Sequence, residues 1–361
     1  MSDAFPPRAD RNLAIDAVKG IGILQVVLFH SLGQGARNFA TKGDRHWIAM
    51  RSLAWATNFA IPLFLLLSAM LLATSFAKSP NVGRFVWRRA SRSLWPYLVW
   101  SALYWLLRWR TNPNVFDHPA KLAGELLTGK AAYHLYFMVI LFQLAIAVPF
   151  VVLALRGRRI ALGGMLVLCG ALQLGFFELN RVPGLGVVNP GSLLTWYVAP
   201  LLMGVWIALN REDWTVAWRR EWPLLTFCAL ATGGVFAYLG VRIDLGLPVE
   251  SLSYNSLSVV FRTAASLALL GAAGSLAATR LGPTLAALGR FSLPIYLVHP
   301  MILRLFGGPR VVPVLAHLPL PALWVMIAVT LLSYAFGWLM SLVRLDVPLF
   351  GQVLPRRGAT A

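Results

Sequence analysis

The chain has 361 residues, 58% of them hydrophobic and only 12% charged, with a formal net charge of +19. A soluble globular protein carries about twice that charged fraction, so an ordinary soluble domain is excluded. The basic residues gather between apolar runs, where anionic headgroups and the positive-inside bias account for them, and no nucleic-acid partner is implied.

Ten apolar segments, each near the ~20 residues that a helical span needs, are expected over 13–33, 53–77, 93–108, 133–155, 160–178, 192–209, 222–241, 256–278, 291–306 and 321–343. The fold class is therefore all-α: a polytopic membrane protein of about ten transmembrane helices around a polar central cavity. A cytoplasmic N-terminal tail over 1–12 and a cytoplasmic C-terminal tail over 344–361 flank a membrane domain over 13–343. Prolines inside the expected spans (Pro62, Pro96, Pro149, Pro200, Pro294) are tolerated where neighbouring helices satisfy the freed carbonyls.

Ten spans put both termini on one side. With that side cytoplasmic, 18 Lys and Arg fall in inner segments against 12 outside, counting Arg108 and Arg304 at the outer ends of their spans, with Lys19 and Arg262 deeper within spans. The bias has the sign of a multi-pass protein with both termini in the cytoplasm, as in a bacterial inner membrane. A signal peptide over residues 1–30 is the competing reading, but "HSLGQGA" is a poor cleavage site. Cys169 and Cys228 lie in apolar runs with neither metal-ligand nor disulfide spacing, as buried small hydrophobes do.

The first span, "IDAVKGIGILQVVLFHSL" (15–32), carries Asp16, Lys19 and His30. Eleven residues separate Lys19 from His30, three helical turns plus about 20°, so the two share a face at an axial separation of about 16 Å. Asp16 is three residues before Lys19 and within pairing reach. A charge within the bilayer costs about 3 kcal/mol and normally faces a cavity or a partner, so a polar stripe running from the cytoplasmic end to the interior is one reading. Taken alone, the residues fit equally a snorkelling Lys19 and a His30 in the outer headgroup layer.

Arg89 and Arg92 precede the third span, three apart and neighbours if helical, as positive-inside flanks also would be. His134 and Tyr136 open the fourth span, as an acceptor-side lining or an interfacial aromatic pair. Arg262 sits one or two turns into the eighth, facing a cavity or snorkelling outward. Glu178 has no specific role, and His46, His118 and His317 fall in loops. Metalloprotease, Walker, nucleophile-elbow and dinucleotide motifs are absent, and no metal site is expected.

Five motifs occur in order: "DAVKG" with His30; "FAIPLFLLLSAMLLA" (59–73); "RRASRSLWPYLVW" (88–100); "HLYFMVILF" (134–142); and "LGRFSLPIYLVHP" (288–300). Together they resemble the acyltransferase-3 family of integral membrane O-acyltransferases across essentially the whole chain. The matching features are a Lys ten intervening residues before His30, the Arg89/Arg92 pair, His134 with Tyr136 in place of the family's Trp, and Ser292, Tyr296 and His299 of the late motif. Ala69 stands where the family usually has Gly.

The resemblance implies acyl transfer from cytoplasmic acyl-CoA, acetyl-CoA above all, as a co-substrate with no tightly bound cofactor. His30 and Asp16 are the catalytic residues implied; Lys19, Arg89 and Arg92 hold CoA phosphates; His134, Tyr136, Arg262, Ser292, Tyr296 and His299 line the acceptor side or the cavity. General-base catalysis and an acyl-histidine intermediate both stay open. The implied acceptor is a sugar hydroxyl of a surface polysaccharide or exopolysaccharide, or of its lipid-linked oligosaccharide precursor, reached among membrane lipids. Two alternatives remain: a succinyl or longer-acyl donor, and a transporter of a glycan, lipid or acyl carrier. A transporter is expected to show an internal repeat and broken half-helices, which this sequence does not announce.

Overall fold

In a computed structural model, residues 8–355 are described, with side chains from Leu13 onward. Sixteen α-helices and no strand occur among them. The first eight are α1 (Arg8–Asn38), α2 (Arg45–Ala56), α3 (Ala60–Lys78), α4 (Val82–Trp109), α5 (Pro119–Thr128), α6 (Tyr136–Leu155), α7 (Leu162–Leu179) and α8 (Val198–Leu209). The rest are α9 (Arg211–Leu245), α10 (Ser251–Gly271), α11 (Ala273–Ala277), α12 (Gly282–Arg290), α13 (Ser292–Phe306), α14 (Val312–Ala316), α15 (Pro321–Leu342) and α16 (Asp346–Phe350).

The all-helical, multi-pass reading holds, and every expected segment contains a helix. The count of ten does not follow from length and apolarity. Six spans qualify among the described residues, and a seventh does if α12 and α13, bent by 75° at their junction, are taken as one. The shortfall has local causes. Helix α4 carries Arg84, Arg88, Arg89, Arg92 and Arg108, α10 carries Arg262 among serines, and the apolar helix at Leu194–Leu209 is short.

Two compact units make up the chain. The first comprises residues up to Phe64, Thr215–Val343 and the end of the chain from Leu354. Here α1 is the central helix, packed on α12, α2, α15, α11 and α13. It is buried on all sides, at Ala14, Ala17, Val18, Ile23, Val26 and Val27, as a helix in the middle of a bundle is. The α1–α12 crossing is close because both helices present glycine: a Cβ on Gly289 would lie 1.8 Å from the Asp16 carbonyl oxygen, and one on Gly20 would lie 2.0 Å from that of Leu285.

The second unit, Leu65–Trp214 with Arg344–Val353, holds α4 against α6, α7 against α8, and α16 against α4. Ala69, where glycine was the expected family residue, is fully buried, and a Cβ on Gly204 would lie 2.7 Å from its methyl group. The glycine of this contact is on α8 instead. The loop helix α5 is stapled to α4 by the two-pronged Arg108–Glu125 ion pair at 2.9 and 3.1 Å and by Trp105 Nε1 donating to Glu125 at 2.9 Å. Burial pushes the Glu125 carboxyl up, but the hydrogen bonds from Arg108 and Trp105 outweigh it and hold the group below its usual range.

At the ends of the chain, α1 already begins at Arg8, within the expected tail; residues 1–7 and 356–361 lie outside the described residues. From Arg344 to Pro355 the expected C-terminal tail packs on the protein. Trp95 and Trp100 donate their indole N–H groups to the carbonyls of Pro348 and Leu349, both at 2.8 Å, and Phe350 stacks on Trp100.

Gly289→Ala therefore forces α1 and α12 apart, at a cost of about 1–3 kcal/mol as in other overpacked cores. The purified protein melts several degrees lower, whereas Gly170→Ala, with nothing within 4 Å of its new methyl, leaves the melting temperature within a degree. Equal melting temperatures for both variants would show that the crossing yields without strain.

Candidate functional site

In the first unit the polar face of α1 is present. Lys19 Nζ lies 3.1 Å from Asp16 Oδ1, with both side chains largely covered. His30, on the same helix, is part-buried. Its ring stacks on that of His299 from α13, with centroids 5.3 Å apart and planes at 30°, and meets the Phe29 ring edge-on at 5.3 Å. His299 is fully buried, and Tyr296, one turn earlier on α13, places its ring 6.0 Å from it. Ser292 is the first residue of α13, at the 75° bend. Of the late motif, His299 meets His30, Tyr296 meets His299, and Ser292 marks where the helix turns.

Arg262, expected to face a cavity or to snorkel, is hydrogen-bonded across the unit to a break in the second span. The second span breaks over residues 57–59, between α2 and α3, and leaves backbone groups that water cannot satisfy within a bilayer. Arg262 Nε donates to the Asn58 carbonyl at 3.1 Å, and its terminal nitrogen reaches Asn58 Oδ1 at 3.3 Å. The guanidinium also sits over the Phe236 ring at 5.2 Å. On the other side of the break, the Ala60 N–H donates to Gln25 Oε1 of α1 at 3.1 Å.

A neighbouring cluster escaped the sequence reading. Arg51 and Trp55 of α2 both donate to Asp244 Oδ2, at 2.6 and 2.7 Å, and Trp55 meets the rings of Phe29, Phe236 and Tyr254. The partners are 193 and 189 residues apart in sequence. No local spacing signals such a pairing. The only available hint was an aspartate directly after the apolar run 222–241.

In the second unit, Arg89 donates to Ser75 Oγ at 3.0 Å and lies over the Phe85 ring. Arg92 is exposed and lines an open pocket of about 490 Å³ with Ser91, Trp95, Val347, Gly351, Gln352 and Val353. Neither arginine has a carboxylate partner among the described residues, although Arg88 and Arg92 flank Arg89 on the same helix. Gly351, at φ +65°, belongs to this pocket; a Cβ there would lie 2.5 Å from the Arg92 carbonyl oxygen. His134 is buried just before α6, edge-on to the Tyr104 ring at 5.1 Å, and Tyr136 is the first residue of α6. Among the described residues, no group of three or more His, Cys, Asp or Glu side chains is placed to hold a metal ion.

The helices define a multi-pass membrane protein with a histidine pair, His30 and His299, and a largely covered ion pair about three turns away along α1. A family model described as an acyltransferase domain matches residues 12–342. The chain belongs to this family, acyltransferase family 3, and is a membrane acyltransferase. Neither a curated protein nor a solved structure matches it.

Arg262→Met removes both donors to Asn58 and leaves its carbonyl without them in an apolar setting, at a cost of about 1–3 kcal/mol. The break then protects less: amide exchange rises at residues 57–61 while the Arg108–Glu125 staple stays unchanged. Unaltered exchange at the break would show that Arg262 is dispensable there.

Proposed function

We propose that this protein transfers an acyl group, acetyl in the simplest case, from cytoplasmic acyl-CoA to a sugar hydroxyl of a surface polysaccharide or exopolysaccharide or its lipid-linked precursor. The observation that carries the reading is the face of α1, where the Asp16–Lys19 pair and His30 interrupt an otherwise apolar helix. Family membership supplies the reaction class.

CoA is an anion of several phosphates and needs cations without internal partners. Arg92 is such a cation, and Arg89, hydrogen-bonded to Ser75 but with no carboxylate partner among the described residues, and Lys19, paired with Asp16, are the further phosphate-binding residues of this reading. The rise of about 16 Å from Lys19 to His30 suits the reach of a pantetheine arm. His30 takes the proton of the acceptor hydroxyl as that oxygen attacks the thioester carbonyl. The C–S bond breaks, the acyl group passes to the sugar oxygen, and the CoA thiolate leaves to take up a proton. His134 and Tyr136 line the acceptor side. Asp16 holds Lys19 in place. The enzyme sits in a bacterial inner membrane with both termini cytoplasmic.

His30→Ala abolishes glycan acylation, measured by mass spectrometry of surface glycans from cells with equal membrane levels of each variant. Near-normal acylation would overturn the role of His30. Arg92 is exposed and structurally less engaged than Arg89, so Arg92→Ala weakens acetyl-CoA binding about tenfold, or ~1.4 kcal/mol, without lowering the melting temperature. Unchanged affinity would return Arg92 to a topological flank.

Sidedness has its own test. Single cysteines replace Ser91 and Ala132 in a background lacking Cys169 and Cys228, and intact cells receive an impermeant thiol reagent. Position 132 labels, and position 91 labels only after the membrane is opened. The reverse would place the basic site where there is no CoA.

A further inference from the structure

The His299–Pro300 dipeptide fixes a proton. In an α-helix the N–H of each residue donates to the carbonyl four positions earlier. Pro300 lies inside α13 and has no N–H, so the carbonyl of Tyr296 loses its helical donor. His299 supplies one instead: its Nδ1 lies 2.7 Å from the Tyr296 carbonyl oxygen and 3.2 Å from that of Ile295. Both neighbours of Nδ1 are acceptors, so Nδ1 carries the hydrogen and Nε2 is the lone-pair nitrogen in the neutral ring.

This ring is fully buried, held by its own helix, and stacked on His30 at 5.3 Å. On its own helix, the adjacent Phe29 ring meets His30 edge-on. One face of His30 is therefore set by a ring whose position and tautomer are both fixed.

We propose that His299 is a positioning residue for His30, and that Pro300 acts through it by releasing the Tyr296 carbonyl that locks the His299 tautomer. The inference rests on His30 being the catalytic base and adds to that reading a second imidazole and the backbone device that orients it. Misplacing a base by about 1 Å costs up to about a hundredfold in rate, which bounds the expected effect. Because His299 acts through His30, the loss falls on kcat and leaves KM for acetyl-CoA unchanged.

Pro300→Ala restores an N–H able to take the Tyr296 carbonyl from His299. The effect of this substitution depends on there being an imidazole to unlock. A proline that merely shaped the helix would exert its effect whatever stood at position 299.

The experiment follows radiolabelled acetyl-CoA into the glycan fraction of membrane vesicles from cells carrying their own acceptor. Four variants are compared at equal abundance: His30→Ala, His299→Phe, Pro300→Ala and the His299→Phe/Pro300→Ala double. His299→Phe, which keeps a stacked ring but no Nδ1–H, lowers kcat ten- to a hundredfold, and Pro300→Ala lowers it about tenfold. The double variant is no slower than His299→Phe alone. Multiplying losses would overturn the proposal in favour of a helix-shaping proline, and wild-type kcat in either single variant would overturn it directly. If His30→Ala retains activity, the broader catalytic reading fails instead. A measurement independent of variant folding is the nitrogen spectrum of ¹⁵N-histidine-labelled wild-type protein, with the His299 signals assigned by their loss in His299→Phe. A protonated Nδ1 supports the lock, and a protonated Nε2 with bare Nδ1 refutes it.

Discussion

Inside a bilayer, a backbone polar group released from its helix has no water to turn to, and a side chain must take its place. The first unit is organised around three such groups. The break between α2 and α3 frees the Ala60 N–H and the Asn58 carbonyl, taken by Gln25 from α1 and Arg262 from α10. Pro300 frees the Tyr296 carbonyl, taken by His299. Each irregularity recruits a polar side chain to a defined place. Two of those side chains come from other helices and tie the unit together, and the third stays within its helix and orients a ring against His30.

The second unit handles charge differently. Glu125 is engaged by Arg108 and Trp105 and serves to hold a loop helix in place. Arg89 and Arg92 have no such carboxylate, and their neighbours on α4 are further cations. A chain with 32 basic and 13 acidic side chains cannot neutralise every arginine internally, and where it leaves them unmatched is informative. Here Arg92 lines an open pocket whose other wall comes from residues 347–353, a segment fastened by two indole hydrogen bonds.

Composition and apolar runs made the class legible, because hydrophobic length is a one-dimensional property. The polar face of α1 was legible too, since helical geometry maps spacing onto direction. Span number was not: α4 and α10 carry too much charge or too many polar residues to qualify alone, and the 75° bend between α12 and α13 has no counterpart in a hydropathy profile. Arg262 was noticed but its partner was not, because Asn58 lies 204 residues away. The Arg51–Trp55–Asp244 cluster was missed for the same reason. His299 and Pro300 stood side by side in the sequence, yet their relation emerges only once α13 is known to be helical through both. The broken second span had no local signal strong enough to separate it from a continuous one.

The paired glycine contacts between α1 and α12 have a mechanical consequence. Each glycine Cα rests almost against a carbonyl of the opposite helix, one pair at Gly20 and the other at Gly289. A screw motion of α1 by one residue, about 1.5 Å and 100°, would drive Ile21 into the space that Gly20 occupies, and the same motion of α12 would do so with Arg290 or Leu288 at Gly289. The two helices thus form a ratchet with its pawl engaged. Piston motion of α1, which would change the depth of His30 relative to its surroundings, is blocked, and any movement during turnover must carry α1 and α12 together as one rigid lever.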